Sequence, residues 1–288
     1  MRDEAAPRSS QSRFWRDHFA RNLAAEPFLP WNDIPALSAD ERAAIRSSVQ
    51  QFQLGEGASG SRLLRYGRAF AEEIRDEDFA PALELFIREE QRHSRQLQRF
   101  MEREGIPALT RHWVDSVFRK LRVLAGLELS LRVLVTAEII AIPYYRALAA
   151  ATKSPLLRAL CAQILEDEAS HLRFQASMLA RLGAKRPRTI EWLIFRLHQL
   201  FLLGTTGVVW RGHGKVFRAA RQTYGALVGD SVTEFLGLER VSRELRTIAR
   251  LPWPAVPIAR SVRPQPSTSS SQTPLRASGT SSRNRAPR

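Results

Sequence analysis

Two Glu-x-x-His sequences, Glu90-Gln91-Arg92-His93 and Glu168-Ala169-Ser170-His171, stand in separate helix-favouring stretches. Residues three apart on a helix are surface neighbours, with Cβ atoms about 5–6 Å apart, so each motif sets a carboxylate beside an imidazole. Such a pair can hold one side of a metal ion. Two such helices, joined by one glutamate from each of two more, build a carboxylate-bridged two-metal site inside a helical bundle. Glu56 and Glu138 are the glutamates the sequence offers. One motif alone has a bland alternative, a surface glutamate near a solvated histidine. Two motifs, each a helical hairpin away from a partner glutamate, argue for the metal.

The partner residues follow from what surrounds them. Glu56 is the only acidic residue between Ala43 and Ala71. It sits farther from the turn than Glu90 does, and a bend at Gly55, Gly57 and Gly60 would absorb the difference. Glu138 lies in the run Val133–Ile142, apolar apart from Thr136 and itself. A charge there is costly unless neutralised. A metal cation does so; a proton or a paired side chain is the alternative. Glu89 and Asp167 directly precede the two motif carboxylates. A metal-bound imidazole usually gives its second N–H to a carboxylate or carbonyl. Asp167 would then serve His93 across the bundle and Glu89 would serve His171, although solvated surface acids would read the same way. Phe86, Tyr144 and Tyr145 lie within a few turns of these residues, as substrate-pocket lining or as plain core.

Helices must position all of this. Residues 1–12 read as disordered. Residues 13–24 read as a short amphipathic helix with Phe14, Trp15, Phe19 and Leu23 on one stripe. Pro27, Pro30 and Pro35 break the chain, and Ser38-Ala39-Asp40-Glu41 opens the next helix as a capping box. Four long helices follow, over roughly 41–75, 79–104, 115–151 and 156–182, with Gly105-Ile106-Pro107 and Lys153-Ser154-Pro155 as breaks. The fold class expected is all-α: a four-helix bundle over 13–188, accessory helices packed on it over 189–250, and a disordered basic Ser/Pro/Arg tail over 251–288. The stretch Trp192–Trp210 matches the ~20 residues a membrane span needs. Arg196, His198 and Gln199 interrupt it, which favours a packed helix or a surface-lying segment with peripheral membrane contact.

At 288 residues with 44% hydrophobic content the chain can bury a substantial core. Its single cysteine, Cys161, excludes an intramolecular disulfide and a thiolate cluster. The first residues lack the apolar core of a secretory signal, so the expected location is cytoplasmic, or peripheral to the inner face of the membrane. The net charge of +15 favours an acidic partner, while a general preference for arginine plus a basic tail is the plainer account. His112 and His198 stand near apolar segments as spare candidate ligands beside His18 and His213.

The strings EEQRH (89–93) and DEASH (167–171) resemble the paired motifs of the ferritin-like di-iron carboxylate superfamily. The run from Arg88 to Pro107 is similar to the corresponding helix of acyl-carrier-protein desaturases and rubrerythrins. The resemblance covers roughly residues 50–182. It implies Glu56, Glu90 and His93 at one metal, Glu138, Glu168 and His171 at the other, and Glu90 and Glu168 as bridges. It implies two iron ions, with manganese also suited, and an external electron donor such as a separate reductase or ferredoxin. Many oxygenases of this group place a threonine one turn after the third helix's glutamate; here Ala141 and Ile142 hold those places and Thr136 precedes Glu138.

Three functions fit this reading. One is O₂-dependent oxidation (hydroxylation, desaturation or N-oxygenation) of a small-molecule or carrier-bound organic substrate. The second is peroxide scavenging or iron handling of the rubrerythrin or ferritin kind. The third is a metal-free helical interaction protein. A homodimer is among the assemblies this reading admits.

Overall fold

The structure is a computed structural model that describes residues 9–25, 27–32, 35–110 and 126–250. Every regular element among the described residues is a helix. They are α1 (Ser9–Ala24), α2 (Ala39–Glu56), α3 (Ser61–Ile74), α4 (Phe79–Arg103), α5 (Gly126–Ala151), α6 (Pro155–Leu182), α7 (Arg188–Ala219) and α8 (Tyr224–Arg250). The expected tail, His112 and the start of the helix expected from residue 115 lie outside the described residues.

Local chemistry sets the boundaries. Ser38 caps α2 by accepting from the Glu41 N–H at 3.2 Å. The Glu41 carboxylate, expected to close a capping box, instead accepts from Lys153 N at 2.8 Å and from the Thr152 hydroxyl, tying α2 to the turn between α5 and α6. Ser154 caps α6 and Pro155 occupies its first turn. The helix expected over 41–75 is two helices, not one bent helix. Glu56 is the last residue of α2, and Gly60 breaks the run at φ +62 before α3 begins. The N-terminal helix starts earlier than expected, at Ser9, and its inner stripe is Ser12, Trp15 and Phe19. Phe14 faces outward instead.

Two apolar clusters show how the helices run. α4 begins in one, with Phe79, Leu83 and Phe86, and ends in the other, with Leu97, Phe100 and Met101. α5 runs the same way, from Leu127 and Leu131 to Tyr144 and Leu148. α6 runs back, from Leu156 and Leu160 to Phe174 and Leu179, and so do α2 and α3 taken together. α4 and α5 therefore point the same way, and α6 runs antiparallel to both. α1 lies across α4, while α7 and α8 pack on α5 and α6. Arg132 on α5 meets His198 of α7 at 3.1 Å and Glu239 of α8 at 3.5 Å, which fastens the accessory helices.

Between the two clusters lies a buried layer of Glu89, Glu90, His93, Glu138, Glu168 and His171. The end of α2 reaches the same layer because the chain breaks where it does. Gly60 permits that break: its backbone is left-handed, and a Cβ there would stand 2.7 Å from Ile87 Cδ1. Gly60→Ala is expected to lose about 1–2 kcal/mol from the backbone alone, with the Ile87 clash added. A urea midpoint equal to that of the parent chain would contradict this account of the α2–α3 break.

Candidate metal centre

Each side chain reaches the central layer for a local reason. Glu90 and His93 lie one turn apart on α4, and Glu168 and His171 one turn apart on α6. Glu138 projects from the apolar middle of α5, and Glu56 from the last turn of α2. The structure brings all six together, in two overlapping groups. Glu56, Glu90, His93 and Glu168 form one group; Glu90, Glu138, Glu168 and His171 form the other. Within each, one donor atom per residue lies within 4.8 Å of all the others. Glu90 and Glu168 belong to both.

The spacing is close. His171 Nδ1 lies 2.8 Å from Glu90 Oε1, 3.5 Å from Glu168 Oε2 and 3.7 Å from Glu138 Oε2. His93 Nδ1 lies 3.9 Å from both Glu90 Oε1 and Glu168 Oε1. Donors that share one ion at about 2.0–2.2 Å stand roughly 3–4 Å apart. The set is buried; only the Glu90 side chain keeps slight contact with solvent, at 12%.

The other side of each imidazole is also specified. His93 Nε2 donates to Asp167 Oδ2 at 2.9 Å, and His171 Nε2 donates to Glu89 Oε2 at 2.9 Å. A carboxylate only accepts, so Nε2 carries a hydrogen and Nδ1 faces the centre. Both bonds cross between α4 and α6. Arg92 balances the outer acids: it reaches Asp167 at 3.0 Å and Glu89 at 3.4 Å. Asn22 of α1 donates to Glu89 at 2.5 Å and to Asp167 at 2.8 Å, while its carbonyl accepts from Arg92.

Electrostatics separates an inner ring from this outer one. Burial, reinforced by Glu138 and Glu56, raises Glu90 well above the usual carboxylate range. Burial and Glu138 do the same to Glu168, and burial raises Glu56. Burial also presses Glu138 upward, but hydrogen bonds to Glu168, His171 and Gln175 bring it below its ordinary value. Burial lowers His171, yet the surrounding carboxylates, Glu90 first, raise it well above normal. In the outer ring, burial is outweighed by His93, Asn22 and Gln163, and Asp167 stays strongly acidic. Four inner atoms, His93 Nδ1, His171 Nδ1, Glu90 Oε1 and Glu168 Oε2, are buried with no hydrogen bond. Buried polar atoms are rarely left so. The two groups could therefore hold a metal.

The aromatic candidates are closed in by their neighbours. Phe86 sets its edge against the His171 ring at 4.8 Å. Tyr145 donates to Glu56 Oε1 at 2.7 Å, and Tyr144 stacks on Phe52 at 3.5 Å. A cleft of about 300 Å³ opens on the next face of α6, between α5 and α8, lined by Ile142, Leu172 and Leu238. Thr136 bonds the Arg132 carbonyl and His198, away from the centre. His213 meets Ser48 at 2.6 Å.

Sequence reasoning missed Asn22, Arg92 and Gln175, which donates to Glu138 at 3.1 Å. Gln175 was legible, since it continues the face of Glu168 and His171 by one turn. Asn22 continues the inner stripe of α1, but nothing in the sequence says where that helix docks. No protein family, curated protein or solved structure matches this chain.

The two rings respond in opposite ways when neutralised. A carboxyl with raised native proton affinity binds more protons folded than unfolded, so it subtracts stability as pH climbs past the ordinary value of about 4.3. In chelator-treated protein at neutral pH, Glu90→Gln is expected to stabilise by about 1–3 kcal/mol. Asp167→Asn should destabilise by about 3 kcal/mol, because it breaks a buried ion pair. Urea unfolding of both variants checks this; equal destabilisation would make Glu90 an ordinary structural acid.

Proposed function

We propose that Glu56, Glu90, His93, Glu138, Glu168 and His171 hold two iron ions in a ferritin-like four-helix bundle. In this reading the protein is a di-iron carboxylate oxidoreductase that uses O₂ to oxidise an organic substrate. The observation that carries it is the pair of four-residue groups sharing Glu90 and Glu168, with both Nδ1 atoms buried and without a hydrogen bond. The helix directions support it too, since two antiparallel pairs whose middle two helices run the same way match a ferritin-like bundle.

When bound, iron supplies one-electron chemistry toward O₂, with electrons from a separate donor. The chain's own residues do the rest. Four carboxylates offset the charge of two divalent ions. Asp167 and Glu89 fix the tautomer and tilt of the imidazoles. Phe86 and the apolar turns on either side of Glu138 keep water from the layer. Tyr145 holds a proton at its Oη against Glu56 Oε1. Ala141 and Ile142 bring no hydroxyl to the turn after Glu138, so the Tyr145 hydroxyl stands where it can serve as a proton donor beside the centre.

The close packing of Phe86, Tyr144 and Tyr145 favours a second reading, in which a small oxidant is the substrate: peroxide reduction or iron handling. Anaerobic Fe(II) loading of chelator-treated protein, followed separately by O₂ and by peroxide, tests both. Wild type is expected to take up about two irons per chain, and Glu90→Ala or Glu168→Ala to fall below one. Two irons retained by either variant overturns the assignment. O₂ consumption with a reductant and candidate substrates supports the oxygenase; rapid peroxide loss without substrate supports the second reading.

A further inference from the structure

α7 presents a face that no other element covers among the described residues. Ile190, Leu193, Leu197 and Leu200 recur at three- and four-residue steps along one stripe, which continues through Gly204 to Val208, with Trp192 at its edge. The six apolar side chains are between 36% and 66% exposed. From Ile190 to Val208 the stripe is about 27 Å long at 1.5 Å per residue. The opposite face is core: Leu202, Val216 and Phe217 are fully buried there. By length and composition α7 could cross a membrane, but only 22% of its most apolar window is buried in the protein. With its inner face packed on α2, α5 and α8, it lies along the surface of the molecule.

The charges around this stripe select its partner. Arg211 and Lys215 continue the same stripe beyond Val208, Lys185 and Arg188 precede it, and Arg196 flanks it; all are exposed. Arg196 stands 5.9 Å over the Trp192 ring. The sole acid in α7, Glu191, is turned to Arg186 and Arg246. Both ends of the stripe are therefore cationic. A second copy docked about a two-fold axis would set like charges against each other in either alignment. A flat anionic surface with an apolar interior meets both requirements. Exposed Leu and Trp on one side, with arginine and lysine alongside, are the composition of helices that lie in a bilayer interface.

We propose that α7 docks the protein on an anionic lipid bilayer. The Ile190–Val208 stripe beds at the boundary of the acyl chains, and the flanking lysines and arginines engage the headgroups. This surface is independent of the metal centre and stands whether or not iron binds.

The test uses the full chain, because the basic tail would itself attract anionic lipid. Parent protein and a Leu193→Glu/Leu197→Glu/Leu200→Glu variant are pelleted with vesicles of phosphatidylcholine alone or mixed with phosphatidylserine. The parent is expected to pellet with the mixed vesicles and to release as salt rises. The variant, with unchanged helical circular dichroism, should bind at least about tenfold more weakly, as three charges replace apolar contacts. Arg211→Glu/Lys215→Glu should weaken binding to mixed vesicles only. Equal pelleting of parent and leucine variant overturns the proposal and assigns binding to the tail. A parent that ignores vesicles but dimerises, and loses dimerisation in the leucine variant, also overturns it and makes α7 a contact between copies.

Discussion

Four glutamate side chains share a space from which water is excluded, and the surrounding structure is organised by the charge they would carry. Two like charges 4 Å apart repel by about 4 kcal/mol at an effective dielectric of 20. Several such pairs exceed what any few apolar side chains return, since a buried Leu or Phe contributes only about 1.5–3 kcal/mol. The layer is tolerable only with positive charge inside it, as protons or as metal ions. The raised proton affinities of Glu90 and Glu168 express that demand. Two apolar clusters stand on either side of the layer and keep the demand from being met by solvent.

The outer ring works differently. Asp167 and Glu89 are as buried as the inner glutamates, but each has specific donors. An imidazole, Asn22 and Arg92 all point at them. Asp167 remains anionic without any ion at the centre. Because each acid comes from the helix opposite its histidine, the two bonds also fix the rotation of α4 against α6. Asn22 adds α1 to this arrangement, with Ser12 and Arg181 meeting at Asp76 and Arg16 reaching Asp78.

Much of this was legible in the sequence, for identifiable reasons. The Glu-x-x-His spacing depends only on helix geometry, so both motifs could be placed before any fold was known. Glu138 could be singled out because a lone acid in an apolar run needs a partner. The crossed pairing of Glu89 with His171 and Asp167 with His93 followed from the second N–H of a liganding histidine. What was not legible depended on tertiary docking. α1 has the expected amphipathic stripe, but Phe14 was wrongly placed on it because it looks as apolar as Trp15. The break at Gly60 was read as a bend, since glycine content alone does not separate a kink from a left-handed stop. The aromatic residues near the site were read as pocket lining or as plain core, and the sequence could not choose between them. Their hydrogen bonds and ring contacts, which make them part of its wall, appear only when the helices meet.

The separation of the two rings bears on how folding and binding would be linked. The outer ring gains its stability from pairs within the chain, so it can form with the helices themselves. In the inner ring Tyr145 and Gln175 partly satisfy Glu56 and Glu138, but Glu90 and Glu168 cost stability on closing until positive charge enters. A metal that binds only the closed arrangement adds its binding free energy to folding. The same glutamates that weaken the bare structure are then the ones through which an ion would stabilise it. Replacing them with apolar residues would make a more stable bundle with nothing to hold. That buried carboxylates stand here at all, each aimed at a shared point, is the physical case for a site selected for binding rather than for packing.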